Sequence, residues 1–209
     1  LGAGQIVSQV TFKGQSWRDD PEIGARMFRA FPIMEQIHEI IAYTAEALSY
    51  ELPQALSEKL NVQLTALQNL TKHDADQLLS LDIVMYRFPL NELLSETSKY
   101  IRESLIEKIS GIKKAKDYNH ERADWIGKKL NGQNLQAVNL RGAYLIAADM
   151  RNADLRAADF IGADLRDADL SGANLSTSMF LTQMQINSAK GDEKTLLPFY
   201  IQRPSHWTA

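Results

Sequence analysis

From position 138 to 175 an apolar residue returns at every fifth place: Leu140, Leu145, Met150, Leu155, Phe160, Leu165, Leu170 and Leu175. Two positions before each stands a small residue, Val138 first and then Ala143, Ala148, Ala153, Ala158, Ala163, Ala168 and Ala173. The residue between is Asp or Asn in seven of the eight units, with Tyr144 the departure. A period of five matches neither the 3.6 of an α-helix nor the 2 of a strand, so neither element buries one face with this pattern. The pattern is satisfied if the backbone turns a corner after each unit. The large apolar residue and the small one before it then point inward, and the other three face water.

This A(D/N)LXX pattern resembles the pentapeptide-repeat family. The resemblance implies a right-handed, roughly square β-helix with one pentad per side and four per turn, so that eight pentads make two turns. Upstream, Leu135 and Leu130 keep the period but carry Gln133 and Lys128 where a small residue belongs; downstream, Phe180 follows Ser178 and Met179. The coil is therefore expected to meet caps at both ends, because a repeat unit cannot bury its faces alone. Trp125 is placed to plug the first coil.

The rest of the chain must supply those caps. Its 209 residues are 44% hydrophobic and 23% charged, an ordinary globular composition, and the net charge of −3 favours neither a nucleic-acid coat nor a polybasic membrane anchor. No apolar run approaches a membrane span, and the start has no leader pattern. A cytoplasmic location is expected, and the absence of Cys removes disulfides and thiolate ligands.

Residues 1–20 read as an N-terminal arm or short strand, because Gln5 to Phe12 leans to β. The glycines at Gly2 and Gly4 precede that segment rather than follow a strand, so they do not form a dinucleotide turn. Residues 21–120 read as an α-helical domain. Asp20 and Pro21 open a helix whose apolar face includes Ile23, Met27, Phe28 and Phe31, with a break or kink at Pro32 and a continuation from Ile33 to Leu48. Pro53 opens a second helix carrying Leu56, Leu60, Leu64, Leu67 and Leu70. Thr71 and Asp74 suggest a capping box for a short third helix. After Pro89, the longest helix runs through Leu90, Leu94, Ile101 and Leu105 to a stop at Gly111. Lys113, Lys114 and Lys116 fall in the connector.

Residues 121–180 form the coil, and 181–209 a cap helix and tail. Thr182 with Gln185 suggests a capping box, and Gly191 a stop for a helix carrying Met184 and Ile186. The segment from Phe180 to Trp207, with FLTQ, GD, Thr195 to Pro198 and RP-x-HW, resembles the tail of bacterial pentapeptide-repeat proteins. VSQVTF, WRD, FPIMEQIHEI and LNELL resemble the region before the repeats in one bacterial subfamily. There a Cys-rich segment usually comes first, and with Leu at position 1 the expectation is a fragment. The fold class is thus α+β: a helical domain, a short right-handed quadrilateral β-helix and a C-terminal capping helix.

No catalytic or metal-binding constellation stands out, and no cofactor is expected. His38-Glu39 lacks the second His of a zinc helix, Ala42 standing there. His73, Asp74 and Asp76 suit a helix N-terminus, and His120, Glu121 and Asp124 lie just before the coil. Asp149, Asp154, Asp159, Asp164 and Asp169 form the candidate interaction surface, with residues twenty apart stacked in columns. Their first expected role is hydrogen bonding at the corners. The alternative is mimicry of the DNA phosphate ladder, which the gyrase-protecting members of the family suggest, with drug or toxin resistance as its outcome. Arg141, Arg151, Arg156 and Arg166 set four bases against six acids in residues 131–180 and weaken it. The leading expectation is a non-enzymatic scaffold or protein-interaction module, with a protein partner and no direct contact to nucleic acid or membrane.

Overall fold

The computed structural model describes residues 2–15, 17–18, 20–109 and 118–207. The chain divides into two compact units, Leu1–Thr97 and Ser98–Ala209. The stop expected at Gly111 and the lysines at 113, 114 and 116 lie outside the described residues.

The first unit is helical from its start. Residues Ala3–Ile6 form α1, which runs into a π-helical turn at Val7–Thr11. This corrects the arm or short strand expected there. Val7, Thr11 and Phe12 are buried, and a spacing of four to five residues gathers all three on one side of a helical turn, whereas a strand would put Phe12 on the face opposite Val7 and Thr11. Packing overrides the β preference of the branched residues.

Helix α2 spans Pro21–Leu48, with the Asp20 carboxylate accepting the Glu22 N–H at 2.7 Å. It passes through Pro32 without ending. Ala30, Met34, Ile37 and Ile40 are buried on both sides of that proline, and α2 packs against α1, α3 (Gln54–Leu70) and α4 (Ala75–Leu79). The continuous buried face outweighs the roughly 3 kcal/mol that an interior proline costs. Pro89 likewise lies inside a helix, α5 (Val84–Ile109), which buries Leu90 and Leu94. The cap of α4 is Asp74 with Gln77, not Thr71, whose hydroxyl donates to the Gln68 carbonyl at the end of α3.

The second unit contains a repeat solenoid. Parallel single-residue bridges join Asn119 to Asn139, Asp124 to Tyr144, Lys129 to Asp149 and Asn134 to Asp154, and the same step of twenty continues to Met179. Four pentads therefore complete one turn, and neighbouring turns lie about 4.8 Å apart. The eight ladder residues from Leu140 to Leu175 are each at most 1% exposed. Their carbonyls accept the N–H three residues on, as from Ala148 to Leu145 and from Ala158 to Leu155, both at 3.0 Å.

The corners up to the one after Leu170 have a positive φ two residues after the ladder position. Arg122, Gly127, Gly132, Ala137, Gly142, Ala147, Asn152, Ala157, Gly162, Asp167 and Gly172 all have it, between 54° and 69°. A turn with only its third residue in that region is type II, which favours Gly.

The coil begins a full turn before the clean repeats, at Asn119. Lys128 and Gln133 are exposed in that first turn, so a long side chain at the small-residue position leaves toward solvent instead of into the stack. Trp125, expected as a plug, is itself a ladder member, 7% exposed and part of the same apolar core.

The tail prolongs the stack. After α6, Gln183–Ser188, capped by Thr182 and Gln185, the chain returns to bridge Lys190 to Asp169 and Leu196 to Asn174. The upward-facing carbonyls of these last rungs find side-chain donors where a further turn would supply backbone ones. The Trp207 indole N–H donates to Ala189 at 2.9 Å, and the Arg203 guanidinium donates to Thr195 at 2.9 Å and to Asp192. Gly191, expected as a helix stop, serves this seal instead: a Cβ there would lie 2.5 Å from the Trp207 ring.

Candidate functional site

The residues available to a partner are the outward ones at the middle of each pentad and two places on. At the middle position the carboxylate or amide turns back on its own corner. Asp124, Asn134, Asn139, Asp149, Asp154, Asp159, Asp164, Asp169 and Asn174 each accept the N–H two residues later, at 3.0 to 3.3 Å. Asp and Asn suit this position because their short side chains close such a loop. Tyr144 has no oxygen within that reach.

Where Arg follows an Asp two residues later, the guanidinium and the carboxylate are doubly hydrogen-bonded. Arg151 binds Asp149 at 2.8 Å through two nitrogens, and Arg156 and Arg166 bind Asp154 and Asp164 at 2.6 to 3.0 Å. The Arg151 hydrogen bonds hold the Asp149 carboxyl down to about 2, and those from Arg156 and Arg166 lower Asp154 and Asp164. Asp169 accepts the Ser171 hydroxyl at 2.6 Å, with Arg151 at 3.8 Å.

Asp159 differs from the four it was grouped with. It is fully buried, 3.2 Å from Arg141, which is itself 8% exposed at its side chain. Arg102, from the last part of α5, lies within the field of Asp159, Arg141 and Glu121, and burial lowers its pKa. Asp159 is therefore a buried ionic anchor and offers nothing to an external partner.

The charge count changes once the first turn is included. Residues 119–180 hold eight acids and seven bases. In the tail, Asp192 is lowered chiefly by the Gly172 N–H, which it accepts at 2.9 Å, and it binds Thr195 and Lys194 as well. Beyond it, Phe199 is 98% exposed beside a shallow groove of about 390 Å³ that Ser176, Leu196 and Arg203 also line.

The other candidates do not assemble. His38 is partly buried, and burial lowers its pKa. Asp74 caps α4, Asp76 pairs with Arg26, and the His120 ring packs at 4.5 Å, tilted by 47°, against Trp125, which Lys128 covers at 4.2 Å. Among the described residues no three His, Asp or Glu gather as metal ligands, and no helix is long and apolar enough to cross a membrane.

Two signals went unread in the sequence. The Gly that precedes Ala143, Ala163 and Ala173 marks the corner, and the Arg and Trp of RP-x-HW mark the sealed edge.

Residues 121–152 and 139–176 match the pattern of pentapeptide repeats, in eight copies. The chain is 46% identical over 212 residues to the uncharacterized protein YybG of Bacillus subtilis (strain 168), across 99% of this chain and 72% of that one. It is similar to the crystal structure of HetL, a pentapeptide repeat protein involved in heterocyst differentiation regulation from the cyanobacterium Nostoc sp. strain PCC 7120. That match has 25% identity and a TM-score of 0.20 and covers 41% of this chain and 45% of that one.

Proposed function

The chain belongs to the pentapeptide-repeat proteins, and from that premise we propose that it is a non-enzymatic, cytoplasmic protein-interaction module built on a right-handed quadrilateral β-helix. The step of twenty between parallel bridges supports the β-helix. The coil's outward residues support the binding role, since they lie in regular columns on a backbone whose core is closed. The partner meets ion pairs at Asp149, Asp154, Asp164 and Asp169, and the tail at 181–209 keeps the stack from growing.

The observation that carries this reading against DNA mimicry is the pairing of the acids. A phosphate-like ladder works through many spaced, unpaired negative charges, whereas Asp149, Asp154 and Asp164 each hold an Arg and Asp159 is buried.

Two assays separate the readings. In a DNA gyrase supercoiling assay, the chain at low micromolar concentration is expected neither to inhibit nor to protect; a potent, salt-sensitive effect lost in Asp154→Lys and Asp169→Lys would reverse the ranking. In affinity capture, a protein held by the wild type and released by those same variants supports the module. Identical capture by both rules out the coil columns as the binding surface.

A further inference from the structure

Three sides of the coil have exposed columns, and two of them are polar throughout. One carries Lys129 and Asn131, Asp149 and Arg151, then Asp169 and Ser171; another carries Asn134 and Gln136, Asp154 and Arg156, then Asn174 and Ser176. The third carries Asp124 and Ile126, Tyr144 and Ile146, then Asp164 and Arg166. Here Ile126 is 56% exposed and Tyr144 52%. Ile146 stacks between Ile126 and Arg166, as the N–H of Gly127 to Ile146 and of Ala147 to Arg166 show, at 2.8 and 2.9 Å.

Tyr144 is costly for the fold. It replaces the Asp or Asn that accepts the corner N–H at nine other positions, so Ile146 has no such acceptor; Lys129 also departs, but its long charged chain suits water, whereas the Tyr144 ring is half in water. A residue that gives up a corner hydrogen bond and gains no burial points to a role outside the monomer.

We infer that this side is a weak, two-fold contact between two copies of the chain. Its outward residues are self-complementary about an axis parallel to the coil. That rotation reverses left and right and keeps the rungs level, so Tyr144 faces the partner's Ile146 and Asp164 faces the partner's Arg166, each contact occurring twice. The Tyr144 hydroxyl is then placed to accept the partner's bare Ile146 N–H. The perpendicular two-fold sets Asp124 against the partner's Asp164 and is excluded by like charge. Asp124 meets Ile126 at the rim, where water reaches it.

Three rungs make a patch about 15 Å tall, smaller than the roughly 1,200 Å² low end of stable interfaces. The dimer therefore belongs to the weak, transient class and forms only at high concentration. The contact is independent of whether a different protein binds the other columns.

Sedimentation velocity of the full chain at low salt, from about 10 micromolar to about 1 mM, tests it. The weight-average mass should rise toward the dimer in the wild type. Tyr144→Asp restores the corner acceptor, so the monomer stays folded by circular dichroism while association weakens at least about tenfold. Arg166→Asp alone should abolish the rise, because Asp164 then faces an acid. The double variant Asp164→Arg with Arg166→Asp should recover it, the pairing being reversed but intact. A wild type that stays monomeric overturns the inference. So does association unchanged in Tyr144→Asp, or association lost in Phe199→Ser, which would put the contact on the tail.

Discussion

The coil and the helical unit both rest on buried leucines, but they fix those leucines in different ways. In the coil a positive-φ corner follows every ladder residue from His120 to Leu170, so the backbone itself decides what points inward. In the helical unit the inward face is chosen by packing, and it tolerates disorder in the pattern: Phe28, Met85 and Phe88 are about 70% exposed while Ala30 and Thr44 are buried. A solenoid constrains each residue by its rung, whereas a helix bundle constrains only the sum of a face. Errors in the coil should therefore cost more per position.

The largest expected effect is at the ladder. Leu155 is 0% exposed and has ladder residues on the turns beneath and above it, Leu135 and Leu175. Leu155→Asp buries a charge with no partner, which costs more than about 4 kcal/mol and should abolish the coil's cooperative melting. Thermal unfolding followed by circular dichroism reads this directly. An unchanged transition would remove the rung-by-rung constraint on which the contrast depends.

That contrast also explains what could be read from the sequence. Eight ladder positions and their small partners were visible because period five admits one solution. The first turn was legible only through the period that Leu130 and Leu135 keep, because Lys128 and Gln133 break the small-residue pattern at a terminal rung, where a side chain can escape to solvent. The tail's return to Lys190 and Leu196 was hidden because α6 interrupts the step of twenty. In the helical unit the local rules misled: β-branched residues at Val7 and Val10 lie in helical turns, and Pro32 and Pro89 lie inside helices. There tertiary burial outweighed propensity. At the candidate site, the Asp and Asn positions were legible as corner acceptors, but no spacing rule indicates that Asp159 would be buried against Arg141 while Asp149 stays outside.

A smaller effect sharpens the role of the corners. Gly132 and Gly172 have nearly equal φ, 65° and 69°, but a Cβ at Gly132 meets nothing within 4 Å, and one at Gly172 would lie 2.4 Å from Asn152 Oδ1. Ala137, Ala147 and Ala157 already occupy this corner elsewhere. Gly132→Ala should therefore cost about 1 kcal/mol, and Gly172→Ala about 2–3 kcal/mol, because Asn152 must move as well. Denaturant midpoints compare the two. Equal losses would mean that backbone conformation alone governs the corner.

The smallest effect separates the two duties of the acid in a pentad. Asp149, Asp154, Asp164 and Asp192 have carboxyls lowered in the folded state, Asp149 to about 2, by guanidinium or backbone donors. A group depressed on folding contributes stability above its unfolded value of about 3.9, and that contribution is lost as pH falls through the folded one. The coil should thus lose stability between about pH 4 and pH 2. Asp154→Asn keeps the oxygen that accepts the Arg156 N–H at 3.3 Å and removes the ion pair, whose Arg side chain is 45% exposed, together with the second oxygen, which accepts the Gln136 amide at 2.7 Å. Its cost at pH 7 should be within about 1 kcal/mol, and it should flatten the acid-induced loss. Asp154→Ala should cost more at every pH, since the corner hydrogen bond goes too. If Asn and Ala variants unfold at the same denaturant concentration at pH 7, the acid's value lies in its charge and the corner bond contributes nothing.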